Sequence, residues 1–250
     1  MFIESTTNAR VKAVRRLHRS RERRELGRTI VEGPKLLESA LDAGIVPVEV
    51  YTTEQGSLAD RCAMAGSEVF GVSRPVIEAV STTVEPQNCI GVIPIPESPT
   101  LQACRTAVGV GISDPGNAGT LIRTAAALGW QIAFLDGVDP WSPKVLRSSA
   151  GTQLSHPAVG VESIDSLTAA GMAIVATTVA GGLPPEKLST TKPIALLIGS
   201  EAHGLPEDLV AASESSLTIP MPGGTESLNA AVAGAIAMYS LGSLDKNQRS

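Results

Sequence analysis

The chain has 250 residues, of which 43% are hydrophobic, and it carries a net charge of −5 with an isoelectric point near 5.3. Its apolar runs are shorter than the roughly 20 residues that a transmembrane helix needs, and its charged N-terminus lacks the apolar core of a secretory signal. Three scattered cysteines and three scattered histidines argue against a disulfide framework and a zinc site. We therefore expect a cytoplasmic protein with no membrane contact and no metal.

The charge is distributed unevenly along the chain. Residues 1–30 hold nine basic and three acidic residues, a net +6, so the remainder carries −11. Val11, Val14 and Leu17 mark an apolar stripe that predicts a helix over residues 8–26. Arginine outnumbers its possible acidic partners there, so phosphate contact and a solvated surface are about equally favoured. The candidate phosphate-binding residues on this helix are Arg10, Lys12, Arg15, Arg16 and Arg19.

Short strands and helices alternate in the first half of the chain. Strands are predicted at residues 29–31, 48–51, 68–72 and 89–93, and helices at residues 34–43, 58–65 and 74–80. This pattern indicates a small α/β domain over residues 1–95. A Pro-rich polar stretch then predicts a linker at residues 96–104.

The second half, residues 105–250, alternates more regularly. Strands are predicted at residues 107–112, 132–135, 173–177, 194–198 and 216–219, and helices at residues 118–128, 143–150, 163–170, 206–212 and 228–241. Continuous apolar strands separated by helices indicate a parallel sheet covered on both faces. Ligands bind such sheets at the carboxyl ends of the strands.

Three polar loops follow predicted strands of this second domain. Asn117 and Arg123 follow the first strand, Glu201 lies in a glycine-flanked loop after the fourth, and Ser227 and Asn229 follow the fifth. Structural roles would also explain them: Asn117 or Ser227 as a helix N-cap, Glu201 at a helix N-terminus and Arg123 at the surface. A dinucleotide-binding fingerprint is rejected, because the glycines near residue 110 lie within the strand and the third glycine is missing.

Taken together, the three loops resemble the three motifs of one protein family. The motifs are Asn117-x-Gly119-x-x-x-Arg123, then Ile198-Gly199-Ser200-Glu201-x-x-Gly204, then Ile219-Pro220-Met221-x-Gly223 with Ser227-Leu228-Asn229. They are similar to those of the SpoU (TrmH) family, the S-adenosylmethionine-dependent RNA ribose 2′-O-methyltransferases of the SPOUT class. The resemblance covers residues 105–245 and includes an auxiliary element, Arg147-Ser148-Ser149-Ala150-Gly151.

Residues 1–95 resemble, less sharply, the L30e-like substrate-binding domain of the same family. The motif Glu32-Gly33-x-Lys35-Leu36-Leu37 carries this likeness and adds Lys35 to the candidate RNA-binding residues. The resemblance further implies a homodimer and a deep trefoil knot in the parallel-sheet domain. Patterns of strands and helices alone would predict an open sheet without a knot.

The resemblance also implies two groups of site residues. S-adenosyl-L-methionine would be held mainly by backbone groups of the loops at Thr177, Thr178, Val179, Gly199, Ile219, Met221 and Leu228. Asn117, Arg123, Glu201, Ser227 and Asn229 would surround the reacting ribose. Because a guanidinium stays protonated, we expect Arg123 to orient the hydroxyl and stabilise developing alkoxide charge, with Glu201 holding Arg123.

The implied substrate is structured RNA, and the separate N-terminal domain favours ribosomal RNA over transfer RNA. Alternatives are a transfer RNA 2′-O-methyltransferase, a non-catalytic RNA-binding or assembly protein on the same fold, and a methyltransferase for a small molecule or protein. Ala230 departs from the family, which often has valine there.

Overall fold

The computed structural model describes residues 1–247 of the chain; residues 248–250, the end of the predicted second domain, lie outside the described residues. The first half contains these elements in chain order: β1 (Phe2–Ile3), α1 (Ala9–Arg16), α2 (Ser20–Leu26), β2 (Arg28–Glu32), α3 (Pro34–Asp42), β3 (Glu49–Thr52), α4 (Ser57–Met64), β4 (Glu68–Val72), α5 (Arg74–Val80) and β5 (Cys89–Pro94). Residues 95–105, which include the predicted linker, contain neither a helix nor a strand.

The second half continues with β6 (Thr106–Val110), α6 (Pro115–Leu128), β7 (Gln131–Leu135), α7 (Pro143–Ser148), α8 (Thr152–Ser155), α9 (Ile164–Ala169), β8 (Ala173–Thr177), β9 (Ile194–Ile198), α10 (Glu207–Ala211), β10 (Ser215–Leu217) and α11 (Ala230–Asn247). A short 3-10 turn lies at Pro185–Lys187. None of the described helices is long and apolar enough to cross a membrane.

The chain divides into two compact units. The first comprises Met1–Glu97 and the segment 139–155, and the second comprises Ser98–Val138 and residues 156–247. The sequence assigned the segment 139–155 to the second domain, but its apolar side chains Trp141, Leu146 and Leu154 are buried in the hydrophobic core of the first unit. This burial, rather than chain order, decides where the segment packs.

The first unit is built on a five-stranded mixed sheet with the order β1-β4-β3-β5-β2. Strands β1, β4 and β3 are parallel, and β5 pairs antiparallel with both β3 and β2. One hydrophobic core holds side chains of α1 and α5, and a second core holds those of α3, α7 and α8. Val31 and Ile30, neighbours on β2, enter different cores, as alternation along a strand requires. The two helix layers therefore cover opposite faces of the sheet.

The predicted long basic helix is two helices, α1 and α2, because the chain breaks at residues 17–19. The buried Arg23 stabilises this break: its Nη1 donates to the carbonyl oxygens of Leu17 at 2.8 Å and His18 at 2.9 Å. The same guanidinium forms a 2.6 Å ion pair with Asp139. Only 3% of Arg23 is exposed, so this arginine is structural rather than available to a ligand.

The second unit contains a five-stranded sheet with the order β10-β8-β9-β6-β7, in which every pairing is parallel. This confirms the predicted α/β architecture with a parallel sheet. Every residue of β6 and β9 is buried, as expected for central strands covered on both faces. The trefoil knot implied by the family resemblance stays a prediction.

Helix α11 packs unusually close to the sheet and to α6. A Cβ atom on Gly234 would lie 2.6 Å from Leu121 Cδ2 and 2.8 Å from Ile198 Cδ1, so glycine at this position permits the approach. Ala231 and Ala237, three residues before and after it, are buried on the same face of the helix. The sequence predicted this helix and its close packing, although the helix begins at Ala230 rather than at residue 228.

Candidate functional site

The carboxyl ends of β6, β8, β9 and β10 meet at one edge of the parallel sheet of the second unit, because these four strands are neighbours that run in the same direction. The loops after these strands hold most of the predicted catalytic and cofactor-binding residues, whereas Thr177 ends β8 and Asn117 and Arg123 lie on α6. This is the edge at which parallel α/β sheets bind ligands. The structure therefore brings the three motif loops together.

A tight turn after β9 presents Glu201 to solvent. Ser200 and Gly204 form a two-bond antiparallel bridge, with N···O distances of 3.2 and 2.9 Å. Gly204 has φ +65°, and a Cβ atom on Gly199 would collide with the backbone of residues 204–205. Glycine at both positions therefore allows the turn to close and to hold the carboxylate at the strand end.

Three predicted polar residues form one hydrogen-bonded chain. Asn229 Nδ2 donates to Asn117 Oδ1 at 3.0 Å, and Asn117 Nδ2 donates to Glu201 Oε1. The contributing loops follow β10, β6 and β9, so residues 112 positions apart in sequence come into contact. Because an asparagine amide both donates and accepts, Asn117 can link the other two side chains.

The same residues take different capping roles from those considered in the sequence. Helix α6 is capped by Asp114, whose Oδ1 accepts from the backbone N–H of Asn117 at 2.8 Å, so Asn117 is not the cap. Helix α11 is capped by Asn229, whose Oδ1 accepts from Ala231 N at 3.0 Å and Val232 N at 3.2 Å. The Asn117 side chain can therefore bond both Asn229 and Glu201, and Asn229 connects the start of α11 to Asn117.

Arg123 lies on α6 and is exposed. Among the side chains that the structure describes, those of residues 1–242, it has no hydrogen-bond or ion-pair partner, and Glu201 contacts Asn117 instead of Arg123. The expected pairing of Glu201 with Arg123 is therefore absent from this structure. At about 100° per residue, Arg123 lies about 120° around the helix from Asn117, which explains why the two do not share a partner. Ser227 is also exposed and makes no hydrogen bond to the described residues.

A cleft lies between the loops that follow β8, β9 and β10. All seven predicted cofactor-binding residues line it: Thr177, Thr178, Val179, Gly199, Ile219, Met221 and Leu228. Sequence reasoning missed Ala230 and Ala233, which line the cleft from the first turn of α11. The spacing of these two small residues on one helical face was the available signal.

The cleft has backbone groups available for a ligand. The main-chain N–H groups of Ile219 and Leu228 have no hydrogen-bond partner among the described residues. Such groups can bind the polar edge of a heterocycle, while the apolar side chains contact its faces. This donor set fits the adenine end of S-adenosylmethionine. Among the described side chains, those of residues 1–242, no group of three or more His, Cys, Asp or Glu could hold a metal ion.

Hydrogen bonds between neighbouring loops hold the cleft in shape. Thr177 Oγ1 donates to the Leu197 carbonyl at 2.8 Å, and Thr178 N donates to the Leu217 carbonyl at 2.8 Å. Thr218 Oγ1 accepts from Gly182 N at 2.9 Å and lies 3.1 Å from Thr178 Oγ1. The walls are therefore connected without using the free amides of the cleft, which reduces the ordering needed to bind a ligand.

The predicted RNA-binding residues of the first unit fall into three groups, which are ion-paired arginines, unpaired basic residues near α1, and Lys35. Arg10 is engaged: it pairs with Glu49 at 2.6 Å and Glu68 at 3.2 Å, and its guanidinium lies 4.6 Å from the centre of the Phe70 ring. Arg16 pairs with Glu22 at 2.7 Å. The remaining predicted residues, Lys12 and Arg15 on α1 and Arg19 before α2, are exposed and have no ion pair among the described residues.

Lys35 belongs to a different surface. It is exposed at the start of α3, whereas Lys12 and Arg15 lie on α1, and these helices cover opposite faces of the sheet. The candidate RNA-binding residues therefore do not form one continuous helical patch. Sequence spacing could not reveal this, because the sheet that separates them is assembled from distant segments.

Comparisons with known proteins identify the family of the chain. The model described as the SpoU rRNA Methylase family matches residues 105–239, and the one described as the MRM3-like substrate binding domain matches residues 8–91. The chain is 32% identical to the 23S rRNA (guanosine(2553)-2'-O)-methyltransferase RlmP of Bacillus subtilis, over 96% of this chain and 98% of the relative.

Solved structures show the same relationship. An AdoMet-bound rRNA methyltransferase from Sinorhizobium meliloti superposes with a TM-score of 0.86 and 30% identity, covering 96% of this chain and 97% of that one. The SpoU methyltransferase AviRb from Streptomyces viridochromogenes, in complex with AdoMet, has a TM-score of 0.84 and 26% identity, with 96% and 98% covered. The family match over more than half of the chain, together with the full-length relative, shows that this chain belongs to the SpoU rRNA methylase family.

Proposed function

We propose that this protein is an S-adenosylmethionine-dependent methyltransferase that modifies the 2′-hydroxyl of a ribose in ribosomal RNA. S-adenosylmethionine, when bound, supplies an electrophilic methyl group. The observation that carries the proposal is the cleft lined by all the predicted cofactor-binding residues, with the Asn229–Asn117–Glu201 chain formed by the same loops. Full-length similarity to an rRNA 2′-O-methyltransferase supports the same reaction.

The residues of the site are proposed to act mainly by positioning. The backbone N–H groups of Ile219 and Leu228 bind the cofactor, and the cleft loops exclude water from it. Glu201, Asn117 and Asn229 hold the geometry of the site and present polar groups to the ribose. Ser227 adds an exposed hydroxyl on the loop that also carries Asn229. In-line transfer of a methyl group to the ribose oxygen depends mainly on the alignment of the two reactants and requires no covalent intermediate with the protein.

Arg123 is proposed as the residue that contacts the reacting hydroxyl or its adjoining phosphate. Its guanidinium remains protonated, so the hydroxyl proton leaves to solvent water as the oxygen accepts the methyl group, and Arg123 stabilises the negative charge that develops on that oxygen. Its lack of an ion pair among the described residues supports this role, because the charge is not already neutralised by a carboxylate. A phosphate group can then accept two hydrogen bonds from the planar guanidinium.

Ribosomal RNA is proposed rather than transfer RNA because RlmP of Bacillus subtilis, a relative with full-length similarity, is a 23S rRNA methyltransferase. Related proteins modify different nucleotides, a guanosine in one and a uridine in another. An rRNA substrate would place the protein in the cytoplasm, where bacterial ribosomes are assembled.

A homodimer is also proposed. Helix α11 exposes three apolar side chains at helical spacing: Val232 is 45% exposed, Ile236 is 38% exposed and Tyr239 is 66% exposed. Residues at i, i+4 and i+7 share one face, and a contiguous apolar face on a helix is typical of an interface. A second copy of the chain would cover this face, in line with the family resemblance. The proposed knot would involve the same helix.

The first experiment is transfer of labelled methyl from S-adenosylmethionine to ribosomal RNA and, separately, to transfer RNA, followed by nuclease digestion. We expect a 2′-O-methylated nucleoside from the ribosomal pool. Label in transfer RNA instead would favour the tRNA alternative, and a methylated base would contradict the proposed reaction. RNA binding with intact cofactor binding but no transfer would favour the non-catalytic alternative.

Arg123→Ala tests the proposed catalytic role in the same assay. We expect kcat to fall by about 100-fold or more, as for loss of a group that stabilises transition-state charge. The melting temperature should stay unchanged, because the side chain is exposed and makes no bond to the described residues. Wild-type kcat in this variant would exclude Arg123 from the reaction.

The unpaired basic residues of the first unit are tested by salt dependence. Replacing Lys12, Arg15 and Arg19 by Gln should lower the slope of log K against log salt for RNA binding by about 3 if each contacts a phosphate. Arg21→Gln is the matched control, since Arg21 is already paired with Glu25 at 2.7 Å. An unchanged slope in the triple variant would show that this surface does not bind phosphates.

A further inference from the structure

A second cavity lies within the first unit, between the loops that follow β3 and precede β5. It has a volume of about 380 Å³, within the range of small-molecule pockets. Its apolar lining comes from Leu37, Val50 and Leu58, and its polar lining includes the amide side chains of Gln55 and Gln87. Neither the catalytic cleft nor the basic residues of α1 belong to this cavity.

The two loops that form the pocket are joined by hydrogen bonds. Asn88 Nδ2 donates to Glu54 Oε1 at 2.6 Å, and Thr53 N donates to the Asn88 carbonyl at 2.9 Å. Thr52 Oγ1 donates to the Glu54 carbonyl at 2.7 Å and accepts from Glu54 N at 3.1 Å. These bonds shape the pocket before any ligand binds, so little ordering is needed on binding.

Gly33 allows the rim of the pocket to close from the other side. Its φ is +89°, its N–H donates to the Cys89 carbonyl at 2.9 Å, and a Cβ atom at this position would collide with the Gln87 side chain. The positive φ favours glycine here, and a Cβ atom would displace the flexible end of Gln87 from the start of α3. This gives a physical reason for the glycine in the motif that precedes Lys35.

The chemistry of the lining indicates what the pocket binds. No lysine or arginine of the described chain lines it, and Glu54 contributes a carboxylate, so the pocket itself does not suit a phosphate. The side chains of Gln55, Ser57 and Gln87 have no hydrogen-bond partner among the described residues. Amides above an apolar floor match a nucleobase, whose faces are apolar and whose edges both donate and accept hydrogen bonds.

We propose that this pocket takes up one unstacked nucleobase of the RNA substrate. Lys35, exposed one residue after the lining residue Pro34, contacts the phosphate of the same nucleotide. Gln55 and Gln87 bind the base edge, and Leu37 and Leu58 contact its face. This inference rests on the proposed function, in that it assigns the substrate of the first unit as RNA, and it adds a site that reads a base rather than the backbone.

The test compares wild-type protein, the double variant Gln55→Ala with Gln87→Ala, and the control Glu85→Gln. Glu85 is exposed on the same loop as Gln87 but does not line the pocket. With 23S rRNA transcribed in vitro, we expect the double variant to raise KM for RNA by about tenfold while kcat stays within about twofold. KM for S-adenosylmethionine should be unchanged in all three proteins. Because both glutamines are exposed, the fold should be retained, which a melting curve checks.

Equal KM values for RNA in the double variant and the wild type would overturn the pocket while leaving the methyltransferase function intact. Absence of methyl transfer by the wild type would instead overturn the proposed function. In that case filter binding of the same RNA still tests the pocket: about tenfold weaker binding by the double variant supports it, and equal binding overturns it.

Ultraviolet crosslinking of the wild-type complex, followed by mass spectrometry, gives a positive readout. We expect a nucleotide attached to a peptide that contains residues 52–59 or 87–89. Crosslinks confined to other parts of the chain would overturn the assignment.

Discussion

Asn229 connects the stability of α11 to the geometry of the site, and its replacement by alanine separates these two contributions. The Asn229→Ala variant removes the acceptor for Ala231 N and Val232 N and the donor to Asn117 Oδ1. Loss of an N-cap costs about 1 kcal/mol, and loss of an exposed side-chain hydrogen bond adds about 0.5 kcal/mol. We therefore expect the free energy of unfolding to fall by about 1.5 kcal/mol.

Asn229→Asp is the matched variant. Its carboxylate keeps the capping acceptor and interacts favourably with the helix N-terminus, by about 0.3–1 kcal/mol, but it cannot donate to Asn117. The nearby Glu201 opposes part of that gain by repulsion. We expect its stability to lie within about 0.5 kcal/mol of the wild type, while methyl transfer falls in both variants.

Thermal unfolding and single-turnover methyl transfer measure the two effects. For a chain of this size, about 1.5 kcal/mol corresponds to a decrease in Tm of roughly 3–6 °C in the alanine variant. If Asn229→Asp lost as much Tm as Asn229→Ala, the cap would not be the source of the stability. If Asn229→Asp kept the wild-type kcat, the amide bridge to Asn117 would have no part in catalysis.

Two further predictions concern packing and pH. Gly234→Ala should lower the free energy of unfolding in urea by about 1 kcal/mol, because overpacking against Leu121 exceeds the gain in helix propensity. Gly242→Ala, whose Cβ would lie 3.8 Å from the nearest atom, should raise it by about 0.5–1 kcal/mol; equal effects of both variants would contradict the close approach of α11. Burial raises the pKa of the Cys89 thiol from 9.0 to about 12, so the unfolded chain loses its proton first as pH rises. The free energy of unfolding should therefore decrease between pH 9 and 12, with a loss of about 1.4 kcal/mol between pH 8 and pH 10. Urea titrations at these two pH values should show a smaller loss for Cys89→Ala.

Much of the secondary structure could be predicted from local pattern. The buried strands β8 and β9 match the predicted residues, because their apolar runs are continuous and bounded by turn residues. The predicted basic helix failed at residues 17–19, where the cause is a tertiary contact: the buried Arg23 bonds the free carbonyls and pairs with Asp139. No local pattern distinguishes that arginine from its exposed neighbours.

The sequence by itself determined the family and the parallel α/β domain, and it predicted seven residues that line one cleft, because three motifs with definite spacing carry that information. Only the tertiary structure decided which polar atoms meet. Asn229 caps α11 and bonds Asn117, Asn117 bonds Glu201, and Arg123 remains apart from Glu201. The contacts depend on the angle of α6 and on turns that close between strands distant in sequence. Spacing along the chain does not specify those angles, whereas packing of the helices on the sheet does.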